Sequence, residues 1–203
     1  MEGEKILKRH TEKSTEQLSD ERREQIKQAA LQVFAIRGLE GTKMSMIAAE
    51  AGISQGLSYR YFTSKEELFS LLVQEAIEEA QSAIRTVNDL PGTPKEKLAA
   101  FTERMLDDHH KHHFMLLQHG LHSEEVPVQA KQSLERYKPE ETIEQFVPLF
   151  LKGQKLGEFR SGDPHKLIFH YFAMITGLML QKYPLPPNYW PQQVSDLMRL
   201  ITK

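Results

Sequence analysis

Apolar positions along this chain recur with the roughly 3.6-residue period of a helix, and nowhere alternate convincingly as in a strand. Ile26, Ala29, Ala30, Val33 and Phe34 form one stripe, which predicts a helix over residues 19–37 that stops at Gly38. After a short turn, Ile47, Ala48 and Ala51 face inward from a second helix over about 44–51. Gly52 ends it, Ile53 plugs the core, and Ser54 opens a short third helix over 55–62. Ser64-Lys65-Glu66-Glu67 reads as a capping box for a long helix reaching about residue 88. Its apolar stripe is Leu68, Phe69, Leu72, Val73, Ala76, Ile77 and Ala80.

Asp89-Leu90-Pro91-Gly92 is a turn, and Thr93-Pro94-Lys95-Glu96 restarts a helix with cap, proline and acid in place. Leu98, Phe101, Met105 and Leu106 form its apolar face. Helix resumes through Phe114-Met115-Leu116-Leu117 and stops near Gly120. Pro127 begins another that runs to about Lys155, with a kink expected at Pro139 or Pro148. Asp163-Pro164 starts a strongly apolar helix to about Lys182, and Val194, Leu197, Met198 and Ile201 mark a last helix after Asn188. The expected fold is all-α, with about nine helices. Residues 1–18, polar and mixed in charge, read as a flexible arm. Residues 19–66 read as a three-helix N-terminal domain and 67–203 as a larger helical domain.

Composition narrows the class. The chain has 203 residues, 39% hydrophobic and 27% charged, which fits a globular protein with a core. The longest apolar stretch free of Asp, Glu, Lys and Arg, residues 167–181, is too short for a bilayer. The polar start has no apolar segment of the signal-peptide kind. Cysteine is absent, which excludes disulfides and thiolate metal sites. A cytoplasmic location is therefore expected, with no membrane partner. The net charge is −2. Residues 19–70 balance Arg22, Arg23, Lys27, Arg37, Lys43, Arg60 and Lys65 against seven acidic side chains. A nucleic-acid role must then rest on arrangement rather than on charge.

The arrangement is present in residues 43–62. A helix-turn-helix needs a small residue where its helices cross, and Ala48 supplies it. It needs a turn residue that tolerates positive φ, and Gly52 supplies that. Ile47, Ile53 and Phe62 are the apolar plugs that fix the crossing. The second helix can then enter a major groove. Gln55 can read an adenine edge or donate to a phosphate, and Gly56 permits close approach of backbone. Tyr59 and Tyr61 can bond phosphates or touch thymine methyls, while Lys43 and Lys65 sit at helix N-termini that attract phosphate.

The stretch from Arg22 to Phe69 resembles the DNA-binding domain of the tetracycline-repressor (TetR) family. The match runs through Phe34-Ala35-Ile36-Arg37-Gly38, then Gly41-Thr42, then Ile47-Ala48-Ala49-Glu50-Ala51-Gly52-Ile53-Ser54. Gly56-Leu57-Ser58-Tyr59-Arg60-Tyr61-Phe62 and Lys65-Glu66-Glu67-Leu68 complete it. The resemblance implies a sequence-specific regulator, not an enzyme and without a cofactor. It would repress as a homodimer on double-stranded palindromic operator DNA until a small effector releases it. It assigns DNA contacts to Thr42, Lys43, Ser45, Ser54, Gln55, Gly56, Tyr59, Arg60, Tyr61 and Lys65. Two positions depart from the family pattern: Lys43 stands where a Ser or Thr cap is common, and Ser58 where a large apolar residue is usual.

The larger domain carries no comparable motif. By the same resemblance it binds effector and dimerises through its last two helices. Residues 167–180 are apolar on all sides, which predicts burial on every face, part of it against a partner. Phe101, Met105, Phe114, Met115, Phe146, Phe150, Phe169 and Met174 are the candidates for an apolar effector cavity. His109, His110, His112, His113, His119 and His122 crowd one segment, with Asp107 and Asp108 nearby. A solvated polar face is the simpler account, so no metal is expected. A metal-responsive regulator of the same fold, or a metal-dependent enzyme, are the alternatives.

Overall fold

A computed structural model places ten α-helices among the described residues, which are 2–180 and 189–202. Side chains are described from Gln17 onward, except at 108, 109, 139, 142, 190 and 191. In chain order the helices are α1 Glu2–Arg37, α2 Met44–Glu50, α3 Gln55–Ser58, α4 Lys65–Thr86 and α5 Pro94–Leu106. Then come α6 Asp108–His122, α7 Val128–Arg136, α8 Pro139–Lys155, α9 Pro164–Met179 and α10 Tyr189–Ile201. No strand occurs among the described residues, only an isolated antiparallel bridge between Phe159 and Thr202.

The extra helix relative to the expected count comes from Pro139. It does not kink a long helix but opens a new one, because proline suits the first helical turn. Pro148 is accommodated inside α8, on its exposed side. α1 starts at Glu2, so the segment expected as a flexible arm has helical backbone. Its glutamates, lysines and glutamines are good helix formers, and propensity here outweighs the lack of an apolar stripe. The expected end of α9 near Lys182 and the cap at Asn188 lie outside the described residues.

The chain divides into two compact units, one ending at Leu72 and one beginning at Val73. The division falls inside α4, several residues past the expected boundary at 66/67. The first unit packs α1 to the start of α4 around Ile26, Ala30, Phe34, Ile47, Phe62, Leu68 and Phe69, each no more than 1% exposed. Phe34 and Phe69 meet edge to face at 5.2 Å. The second unit is built around Phe101, Phe146, Phe150, Phe159, Ile168, Tyr171 and Ile175. There α9 packs on α8, and α10 on α5.

α9 departs from the expectation of burial on every face. Ile168, Tyr171, Ile175 and Met179 are buried, while Phe169, Ala173 and Gly177 on the other side are exposed. One stripe is enough to serve the core of a single chain. The buried Tyr171 hydroxyl lies 2.8 Å from the Thr102 hydroxyl, which itself donates to the Leu98 carbonyl at 2.6 Å. Burial pushes the Tyr171 phenol well above its ordinary value, against a smaller opposing effect of the Thr102 bond.

Candidate nucleic-acid interface and sensor cavity

The turn between α2 and α3 has the geometry its sequence requires. Gly52 adopts φ +64, and the Ile53 amide donates to the Ala48 carbonyl at 2.9 Å. Ala48 is 2% exposed at the crossing. Ser54 caps α3 by accepting from the Leu57 amide at 3.2 Å. Lys43, at the N-cap of α2, makes no side-chain cap bond. α3 is one turn long and continues as hydrogen-bonded turns, with the Phe62 amide reaching the Ser58 carbonyl at 3.1 Å.

α1 braces this turn from behind. The Gln25 side chain donates to the Ala51 carbonyl at 2.7 Å, at the C-terminal end of α2. Arg23 donates to the Tyr61 carbonyl at 3.1 Å, and its guanidinium lies 4.3 Å from the Phe62 ring centroid. Periodicity did not flag Arg23 or Gln25, because both sit at the polar edge of the apolar stripe. A sequence signal was nevertheless available: two long donor side chains beside the face that meets α2 and α3.

The assigned contact residues separate into two sets. Lys43, Ser45, Ser54, Gln55, Gly56, Tyr59 and Arg60 are exposed, and Tyr61 is half-buried. Thr42 is fully buried, and its hydroxyl donates to the Gly38 carbonyl at 2.6 Å. Its side chain closes the α1–α2 turn and cannot reach DNA, which corrects the assignment. Lys65 donates to the Leu39 and Thr42 carbonyls at 2.8 and 2.9 Å. Those two bonds make it a brace of the same turn. Ser58 is buried and satisfies itself on the Gln55 carbonyl at 2.7 Å. The capping box at α4 is displaced by one residue. Ser64 accepts from the Glu67 amide at 3.1 Å, but Glu67 turns to the Thr63 hydroxyl and amide at 2.6 and 2.7 Å.

The second unit encloses a cavity of about 810 Å³ lined from α4, α5, α6, α8, α9 and the end of α7. Phe101, Met105, Phe114 and Phe169 line it as expected. The other four candidates do not. Phe146 and Phe150 are fully buried core, Phe150 against Phe159 at 4.9 Å, and Met115 and Met174 pack onto that core. Phe172 lines the cavity and had not been singled out. One corner is polar. Glu79 lies 3.0 Å from His110 Nε2 through one oxygen and 3.0 Å from His113 Nδ1 through the other. Asp107 sits 2.6 Å from His110 Nδ1, and Arg104 Nε 3.2 Å from His110 Nε2. One ring nitrogen cannot both accept from Arg104 and donate to Glu79. With Nδ1–H alone given to Asp107, Nε2 accepts from Arg104, and it donates to Glu79 when both ring nitrogens carry protons.

Comparison with known proteins rests on this geometry. Residues 26–72 match the model for bacterial regulatory proteins of the tetR family. Those residues, which span the turn and the helices that brace it, carry the N-terminal domain of that family. Along 93% of its length it is 27% identical to YfiR of Bacillus subtilis, an uncharacterized HTH-type transcriptional regulator, covering 90% of that protein. It is 24% identical to the HTH-type transcriptional repressor KstR2 of Mycobacterium tuberculosis over 86% of its length, covering 88% of that protein. The solved structure of the ketosteroid transcriptional regulator KstR2 superposes with a TM-score of 0.67 at 23% identity, over 90% of this chain and 95% of that one. AibR, solved with isovaleryl coenzyme A and operator DNA, superposes with a TM-score of 0.63 at 19% identity, over 87% of this chain and 96% of that one. The relatives matched along most of their length are thus HTH-type transcriptional regulators.

The histidine-rich segment is mostly α6. His109 lies outside the described side chains. Among the described residues, no group of three or more His, Asp or Glu side chains gathers to hold a metal ion. The pair that converges is His110 with His113, at i and i+3, and its partner is Glu79 from α4. No helix among the described residues is long and apolar enough to cross a membrane.

Proposed function

We propose that this chain is a TetR-family regulator, a cytoplasmic, non-enzymatic repressor that binds a palindromic operator as a homodimer through α3 and its surroundings. One observation carries the DNA reading: Gln55, Gly56, Tyr59 and Arg60 present an exposed, non-acidic surface on α3 and the turns that continue it, braced by α1. Lys43 and Ser45 flank it as phosphate contacts. A two-fold site needs two copies, which is the reason for a homodimer. The small effector binds in the cavity of the second unit, whose walls include four Phe side chains, and shifts the population away from the DNA-binding form. AibR, of similar fold, has been solved in complex with isovaleryl coenzyme A and operator DNA, which supports a small-molecule effector here. Capture of bound genomic fragments followed by footprinting tests the reading. A protected inverted repeat is expected. Uniform protection of random DNA, or none, would refute it.

A further inference from the structure

We propose that the cavity takes an amphipathic carboxylic acid, whose carboxylate replaces Glu79 on His110 and His113 and so unlatches α4 from α6. This rests on reading the cavity as the effector site. His110 and His113 stand one turn apart on α6 and address the two oxygens of one carboxylate at 3.0 Å each. Asp107 fixes the His110 ring through Nδ1 at 2.6 Å and accepts from the His110 amide at 2.8 Å. Arg104 stands beside them, exposed toward the cavity. Two imidazole donors and a guanidinium are a carboxylate receptor, and in this structure its occupant is the protein's own Glu79.

The rest of the wall is mostly apolar, including Phe101, Phe114, Phe169 and Phe172, with His122, Glu140 and Thr176 among its polar groups. A ligand acid that enters exchanges one carboxylate for another on the same donors. Burial of its tail is then the net driving force. A cationic head would have to compete with three basic groups for Glu79, and an alcohol brings no charge to the donors that Glu79 leaves. Glu79 belongs to α4, the helix that begins at Lys65, directly after the DNA-facing segment, and continues into the second unit. Exchange at Glu79 therefore frees the one helix shared by both units. That supplies the differential contact an effector must make to shift the equilibrium.

The test uses full-length protein, decanoate, decanol and decyltrimethylammonium, and a labelled operator fragment followed by fluorescence anisotropy. Decanoate is expected to weaken operator binding about tenfold or more, the other two much less. Glu79→Gln, without ligand, is expected to bind operator about fivefold more weakly. Calorimetry of decanoate on the protein reads the ligand class without DNA, and His110→Gln should lose that heat while its circular dichroism spectrum still reports a folded helical protein. Release by decanol or the ammonium but not by decanoate would overturn the acid assignment while leaving the effector site standing. Failure of decanoate to bind, or unchanged binding in both His110→Gln and His113→Gln, would overturn it too. Decanoate binding that needs the histidines, in a protein that recognises no operator, would support the acid site and refute the repressor reading instead.

Discussion

Gly56 and Gly52 separate what the fold requires from what a DNA groove requires. Gly56 lies inside α3, exposed, and a Cβ built there meets nothing within 4 Å. Alanine at this site should stabilise the free protein by about 0.5–1 kcal/mol, the helix-propensity difference. The added methyl stands on the face assigned to DNA, so operator affinity should fall about tenfold, equivalent to about 1.4 kcal/mol. Gly52 gives the opposite signature. Its φ is +64, and a Cβ there also meets nothing within 4 Å, so alanine pays only the left-handed backbone, about 1–2 kcal/mol. Gly52→Asn should lose less, since asparagine tolerates that conformation. Molecules of Gly52→Ala that remain folded should bind operator as the parent does. Urea unfolding by circular dichroism and operator anisotropy measure both axes. If Gly56→Ala binds operator as tightly as the parent, α3 does not lie against DNA and the assigned groove geometry is wrong.

Tyr59→Ala should weaken operator binding about tenfold with the urea midpoint and dimerisation unchanged, because the ring is 47% exposed and braces nothing. Lys65→Ala should lower both stability, by about 1 kcal/mol, and operator affinity, because its two carbonyl bonds hold the α1–α2 turn. Equal stability of Lys65→Ala and parent would argue against the brace. The Thr63 hydroxyl and amide hold the Glu67 carboxyl below the ordinary glutamate range, with Arg23 adding to it. That stability is whole above the ordinary glutamate value and lost as pH falls through the lowered one, so the gap between parent and Glu67→Gln in urea titrations should shrink toward acid. Thr102→Val should cost about 1–3 kcal/mol by orphaning the buried Tyr171 hydroxyl. Tyr171→Phe should cost less, since Thr102 keeps the Leu98 carbonyl. Thermal melts that reverse this order would show that the buried pair is satisfied some other way.

The first unit was legible because its determinants are local. Phe34, Ile47, Ala48, Gly52, Ser54 and Phe62 lie within one short stretch of sequence, and each takes the place its chemistry predicts. Thr42 was misread for a reason of the same scale. A threonine beside a helix start can point to phosphate or fold back on the preceding turn. Here Gly38, with φ +67, turns its carbonyl within 2.6 Å of the Thr42 hydroxyl and captures it. α3 was drawn too long because Tyr59 to Phe62 keep hydrogen-bonded turns without regular helix. Pro139 was read as a kink because the pattern on either side is apolar-periodic. Only packing decides whether the chain bends or breaks there.

The second unit resisted sequence reasoning because its cavity is assembled from helices far apart in the chain. Phe101 and Phe172 are 71 positions apart, yet their rings meet at 6.4 Å. Phe146 is as aromatic as Phe101 and touches it at 5.0 Å, but lies on the core side of the same cluster. An aromatic stripe identifies the face that is dry. It does not say whether that face meets another side chain or an empty volume. The histidines show the same limit from the polar side. Their spacing on α6 suggested shared faces, but the partner that gives His110 and His113 a purpose is Glu79, on a different helix. A half-buried and a buried imidazole addressing both oxygens of one carboxylate are costly to keep beside aromatic walls unless each is satisfied. Such an arrangement holds α4 to α6 only while that carboxylate stays in place. It follows that the strength of this link depends on whichever carboxylate occupies the corner, and that the aromatic walls set what can bring a competing one there.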